Sequence, residues 1–140
     1  MRRLMAAALL AACAAGCKGD VKPKRQAGDN PPSTGFIDLP APESVVGPLF
    51  TVAGWALDES GVERVRIYLD DQLVATVPVT IMRPDVDRAF SPKVGAGTPH
   101  GFSTVIDAGS RAGYCTIRAE ALDGRGALTQ FATTNVKIEP

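Results

Sequence analysis

Residues 62–79 read Val62-Glu63-Arg64-Val65-Arg66-Ile67-Tyr68-Leu69, then Asp70-Asp71, then Gln72-Leu73-Val74-Ala75-Thr76-Val77-Pro78-Val79. In an extended chain successive side chains point to opposite faces. The first run therefore places Val65, Ile67 and Leu69 on one face and Arg64, Arg66 and Tyr68 on the other, the pattern of a half-buried strand. Asp70-Asp71 is a hairpin-turn signal, and Gln72 to Val79 is the returning strand.

The same reading extends in both directions. Tyr114 to Leu122 sets Cys115, Ile117, Ala119 and Ala121 on one face and Thr116, Arg118 and Glu120 on the other. Leu49 to Leu57 is rich in β-formers and ends in the turn cluster Asp58-Glu59-Ser60-Gly61. Phe36 to Leu39 opens the domain. Phe102 to Ile106 is a short strand after a Gly/Pro-rich loop, and Leu128 to Ile138 closes the domain after the turn Asp123-Gly124-Arg125-Gly126. Only Pro84 to Phe90 predicts a helical turn, with Pro at its first position. About seven short strands separated by turns predict an all-β, antiparallel β-sandwich over residues 35–140. No repeat at solenoid or propeller period is present.

The N-terminus is of a different kind. Met1-Arg2-Arg3 is cationic and Leu4 to Ala15 is uncharged. That run is too short for a bilayer-spanning helix, which needs about 20 apolar residues. With small residues before Cys17 it has the pattern of a secretory signal over residues 1–16. Residues 17–34 are dominated by Gly, Pro, Lys and Asp and hold no large apolar residue beyond Val21, so they predict a disordered, flexible tether.

The chain has 15 Lys and Arg against 15 Asp and Glu, a formal charge of zero. The zero hides a split. The tether carries four bases (Lys18, Lys22, Lys24 and Arg25) against Asp20 and Asp29, whereas residues 35–140 carry 9 bases and 13 acids. An acidic domain with interleaved charges argues against nucleic acid as partner, even though Arg64, Arg66, Arg83, Arg88 and Arg118 are all present. Bases in such a linker serve its solvation, and beside a lipid anchor they would also sit favourably near anionic headgroups.

Ala14-Ala15-Gly16-Cys17 resembles the lipobox of bacterial lipoproteins, in which the Cys is acylated and becomes the new N-terminus. It departs at Ala14, where the family usually has Leu. Leu10-Ala11-Ala12-Cys13 is the alternative lipobox, with a shorter apolar run before it. Polar sequence begins directly after Cys17, which favours Cys17 as the lipidation site. The resemblance implies fatty acylation, palmitate included, and a membrane partner through the lipid anchor. Lys18 in place of Asp at the next position implies the outer membrane of a bacterial cell envelope, with the face left open.

A second resemblance covers nearly all of residues 35–140. Asp38-Leu39-Pro40-Ala41-Pro42, Val52-Ala53-Gly54-Trp55-Ala56-Leu57-Asp58, Gly61-Val62-Glu63-Arg64-Val65 and Leu69-Asp70-Asp71-Gln72 come in order. Arg83-Pro84-Asp85-Val86, Gly101-Phe102 and Ala119-Glu120-Ala121-Leu122-Asp123 follow. Together they are similar to a bacterial immunoglobulin-like (Ig-like) module. The departure is at Asp70-Asp71, where the family commonly has Asp-Gly. The resemblance implies an Ig-like sandwich acting as a non-catalytic binding or interaction module, with an envelope protein or a polysaccharide as partner.

Candidate chemistry is sparse, and no cofactor is expected. His100, the single His, lies in a loop with no nucleophile or carboxylate that the sequence nominates, so a solvated side chain is expected and a small hydrolytic enzyme is the remote alternative. Cys115 falls on the inward face, which predicts a buried, inert thiol. A bridge to Cys17 requires that Cys17 carry no lipid. Asp58, Asp70, Asp71 and Asp123 gather at turns; a Ca²⁺ ion wants about six to eight oxygens, and no Asp-x-Asp-x-Asp loop is present, so solvated turn residues are the default. Trp55 points away from Val52, Gly54 and Ala56. Beside Tyr68 it would offer a stacking surface for a sugar, the alternative reading as a carbohydrate-binding module; under residues 83–90 it would instead cover a sheet face.

Overall fold

The computed structural model describes residues 30–90 and 97–140. The signal of residues 1–16, both candidate lipobox cysteines Cys13 and Cys17, and the tether up to residue 29 lie outside the described residues.

Eight strands and one short helix follow in order: β1 (Thr34–Leu39), β2 (Ser44–Val46), β3 (Leu49–Leu57), β4 (Val62–Leu69), β5 (Gln72–Pro78), α1 (Pro84–Phe90), β6 (Gly101–Asp107), β7 (Gly113–Asp123) and β8 (Leu128–Ile138). They form two sheets, β1-β3-β6 and β2-β8-β7-β4-β5, packed as a sandwich. Alternation placed β3, β4 and β8 at their observed limits. It missed β2, and with it one correction to the expected antiparallel topology: β2 runs parallel to β8, pairing Ser44 with Val136 and Val46 with Ile138. The first segment thus crosses between sheets, from β3's side as β1 to β8's side as β2. Between Pro42 and Pro48, three strand residues carry too little alternation to be recognised.

The core consists of the inward half of each alternating strand. Val65, Ile67 and Leu69 of β4 and Ile117, Ala119 and Ala121 of β7 are fully buried. They meet Val52 and Ala56 of β3, Phe102 and Ile106 of β6, and Val136 and Ile138 of β8. Small residues on β7 let the five-stranded sheet accept the larger side chains opposite. Phe102 and Phe131 meet edge to face at 6.1 Å between centroids.

Two local features explain particular residues. Asp70 and Asp71 both have positive φ, 44° and 67°, which gives the β4–β5 hairpin a turn whose twist matches its strands; Asp tolerates this conformation better than most residues with a Cβ. A Cβ on Gly54 would lie 2.0 Å from the Phe36 carbonyl oxygen, so glycine is what allows β1 to approach β3.

Residues just before Gly35 also contact the sandwich. Ser33 is buried and its hydroxyl donates to Asp58 Oδ2 at 2.8 Å. Asn30 Nδ2 donates to Asp123 Oδ2 at 2.6 Å. These contacts lie at the pole formed by the β3–β4 and β7–β8 turns, which touch through Gly124 N–H donating to the Gly61 carbonyl. The hairpin at Asp70-Asp71 lies at the opposite pole, since the eight residues of β4 span about 25 Å. Asn30 and Ser33 are therefore held at one pole, away from that hairpin.

Candidate functional site

α1 is built from local signals. Pro84 starts it, Asp85 and Asp87 complement its N-terminal turn, and Arg88 lies in its last turn. Val86 is its buried anchor. The helix lies over the outer face of the three-stranded sheet, where Phe90 meets Trp55 at 5.2 Å between ring centroids. Arg83, just before it, donates to Asp85 and to Asp38 of β1. The Arg83 guanidinium, chiefly through these hydrogen bonds, holds the Asp85 carboxyl down at about 2.

His100 differs from expectation. It is not solvated: 7% of it is exposed, and Nε2 lies 2.9 Å from Asp87 Oδ1. The carboxylate partner that the sequence did not nominate is thus supplied by α1, thirteen residues earlier. Backbone bonds between Ile81 and both His100 and Gly101 fix this segment against the start of β6. His100 borders a cleft of about 440 Å³ together with Asp58, Glu59, Ser60, Val79 and Thr98. Asp58 there accepts from Ser60 N–H, Ser60 Oγ and Ser33 Oγ. These hydroxyls serve as donors to a turn carboxylate, whereas the Thr98 hydroxyl lies 3.4 Å from His100 Nε2.

The turn carboxylates do not converge. Asp58 and Asp123 sit at the pole that holds Asn30 and Ser33; Asp70 and Asp71 sit at the far pole. Asp123 is buried and accepts from Asn30, Arg125 N–H and Ala127 N–H, and the Asn30 bond leads in holding its pKa below the ordinary carboxylate value. Asp70 accepts from Thr116 N–H, and Asp71 lies 3.5 Å from Arg118 Nε. Among the described residues no group of three His, Cys, Asp or Glu is placed to hold a metal ion.

Trp55 and Tyr68 are likewise kept apart, a correction to the alternative reading of a shared stacking surface. Trp55 is on the outer face of the three-stranded sheet, and Tyr68 is on that of the five-stranded sheet. Trp55 is partly covered by Phe90 as the structural reading predicted. The Arg118 guanidinium lies 3.9 Å over the Tyr68 ring, and the Tyr68 hydroxyl donates to Glu120. The most exposed aromatic is instead Tyr114, at 78%, which alternation marked as facing away from Cys115. Cys115 is buried as expected, and burial, aided by Asp70, pushes its thiol up to about 11.

No protein-family model matches the sequence, and no curated protein matches it. Solved structures do. The fibronectin(III)-like modules of CbhA from Clostridium thermocellum align with a TM-score of 0.52 at 16% identity, over 76% of this chain and 93% of that one. The endo-beta-1,4-mannanase from Thermotoga petrophila aligns with a TM-score of 0.50 at 15% identity, over 81% of this chain and 21% of the enzyme. At such identities the likeness shows the fold. The chain has an Ig-like, fibronectin(III)-like β-sandwich.

Proposed function

We propose that this chain is a lipid-anchored envelope lipoprotein whose sandwich is a non-catalytic binding module. What supports the reading is that Asn30 and Ser33 are hydrogen-bonded at one pole of the sandwich; with an anchor at Cys17, the opposite pole would be the one presented. Large apolar side chains stand exposed around the presented pole: Val45, Leu49, Leu73, Val105 and Tyr114. These are five of the ten large apolar side chains exposed among the described residues, and apolar surface at a pole suits contact with a partner. The partner is an envelope protein or a polysaccharide, reached within the span of the tether, and the membrane is the outer one. A non-catalytic role is supported by His100 Nε2 lying 2.9 Å from Asp87, with the Thr98 hydroxyl at a long 3.4 Å from the same nitrogen.

Mild cross-linking in intact envelopes, followed by affinity capture, tests this. A partner recovered with the parent chain and lost with a folded Leu49→Asp, Tyr114→Ala variant is the expected result. Recovery unchanged by that variant would remove the presented pole from the account.

A further inference from the structure

The outer face of the five-stranded sheet carries a track of arginines. Alternation turns Arg64, Arg66 and Tyr68 of β4 outward, opposite the buried Val65, Ile67 and Leu69. Outward positions on one strand recur about every 6.8 Å, and Arg118 of β7 stands beside Tyr68 in register. Three guanidiniums therefore occupy three successive rows of the face. The carboxylate among them, Glu120, is already engaged: Arg118 pairs with it, and the Tyr68 hydroxyl donates to it at 3.0 Å. Arg66 is the register partner of Glu120, yet neither the Arg66 nor the Arg64 side chain has an ion pair or hydrogen bond with another described residue. These two neighbouring guanidiniums stay unpaired in a domain of 9 bases and 13 acids. The polar side chains around them, Thr76, Gln130, Thr133 and Asn135, are exposed.

The chemistry of this face selects its partner. A guanidinium presents a planar fork of donors that matches a carboxylate. Protein interfaces centre on aromatic and apolar side chains and keep charge out of that centre. Here the order is reversed. The centre bears charges, hydroxyls and amides, while the large exposed apolar residues of this sheet, Val45, Leu73, Tyr114 and Leu128, lie on edge strands or at strand ends. A net acidic domain disfavours nucleic acid. A chain rich in hydroxyls, with carboxylates at regular intervals, complements both the arginine track and its polar surround. We propose that the outer face of the five-stranded sheet binds an extended, uronate-bearing polysaccharide along β4, with Arg64 and Arg66 each meeting a carboxylate and Thr76 and Thr133 meeting sugar hydroxyls. This rests on the binding-module reading and deepens it by naming a polysaccharide class, on a face that runs between the poles.

The experiment is an amide-resonance titration of the full chain in mild detergent with oligogalacturonate, its methyl ester and poly-glutamate of matched length. Saturable shifts centred on Arg64, Arg66, Thr76 and Arg118 are expected with oligogalacturonate, weakening as salt is raised. The ester keeps the hydroxyls and lacks the charge, and should bind about tenfold more weakly. Arg64→Gln and Arg66→Gln should each weaken oligogalacturonate about threefold, and the double variant about tenfold, with the rest of the spectrum unchanged. Arg88→Gln makes the same charge change at an exposed position on α1 and should leave binding as it was. Absence of saturable shifts, equal binding of acid and ester, or an equal loss in Arg88→Gln overturns the proposal. Poly-glutamate bound as tightly as oligogalacturonate overturns the polysaccharide assignment in favour of an acidic peptide. Should oligogalacturonate fail while cross-linking still captures a partner, the arginine face falls and the module reading stands.

Discussion

Phe102→Ala is the sharpest test of the packing. Phe102 is 1% exposed, faces the five-stranded sheet from β6 and meets Phe131 edge to face. Burying a Phe removes roughly 150–250 Å² from water. At about 25 cal/mol per Å² that is about 4–6 kcal/mol, an upper figure because the unfolded chain already hides part of this area. Loss of the ring pair adds about 0.5–1.5 kcal/mol, and measured Phe→Ala changes in cores cost about 3–5 kcal/mol. A loss of about 4 kcal/mol is therefore expected, a large share of the roughly 5–15 kcal/mol that holds a domain folded. With a urea slope of about 1.5 kcal/mol per M, the midpoint should fall by about 2–3 M at unchanged slope. Val105, on the same strand and 65% exposed, is the internal control: Val105→Ala should stay within about 0.5 kcal/mol. A Phe102→Ala loss below about 1 kcal/mol, or equal losses at the two sites, would refute the inward assignment of β6.

Three further outcomes are expected. In a Cys13→Ser, Cys17→Ser background, the Cys115 thiol, raised to about 11, should react with a disulfide reagent at pH 8 only at the rate of global opening, and at once in urea; fast native reaction would place it at the surface. The Asp85 carboxyl should titrate near 2 instead of 3.8 by NMR. A depressed carboxylate stabilises the fold fully above its unfolded value, so this contribution should fade as pH falls from about 4 toward 2 and vanish in Asp85→Asn. Gly54→Val should destabilise strongly, because the added atoms collide with the Phe36 backbone, whereas Val105→Thr should not; thermal unfolding of the two variants separates them.

Much of the fold was legible because burial in β3, β4 and β7 follows period-two alternation closely. The faces read for β4 and β7 are the buried faces, and the Asp70-Asp71 turn has the backbone its residues suggested. Pairing between distant segments was not legible. β2 gains its strand character from β8, about ninety residues later, and not from its own three side chains. His100 is buried because α1 brings Asp87 to it, which no local signal at Thr98-Pro99-His100-Gly101 reports. Tyr68 and Trp55 both pointed outward as expected, but alternation says nothing about which sheet owns a strand, so their separation emerges only with the topology.

The account turns on the claim that this acidic sandwich works at the end of a lipid leash. Incorporation of labelled palmitate by cells expressing the chain tests it most directly. The expected result is label in the parent chain and none in Cys17→Ser. Label retained in Cys17→Ser and lost in Cys13→Ser would move the anchor to the alternative site, and a parent chain that takes up no label would contradict the claim.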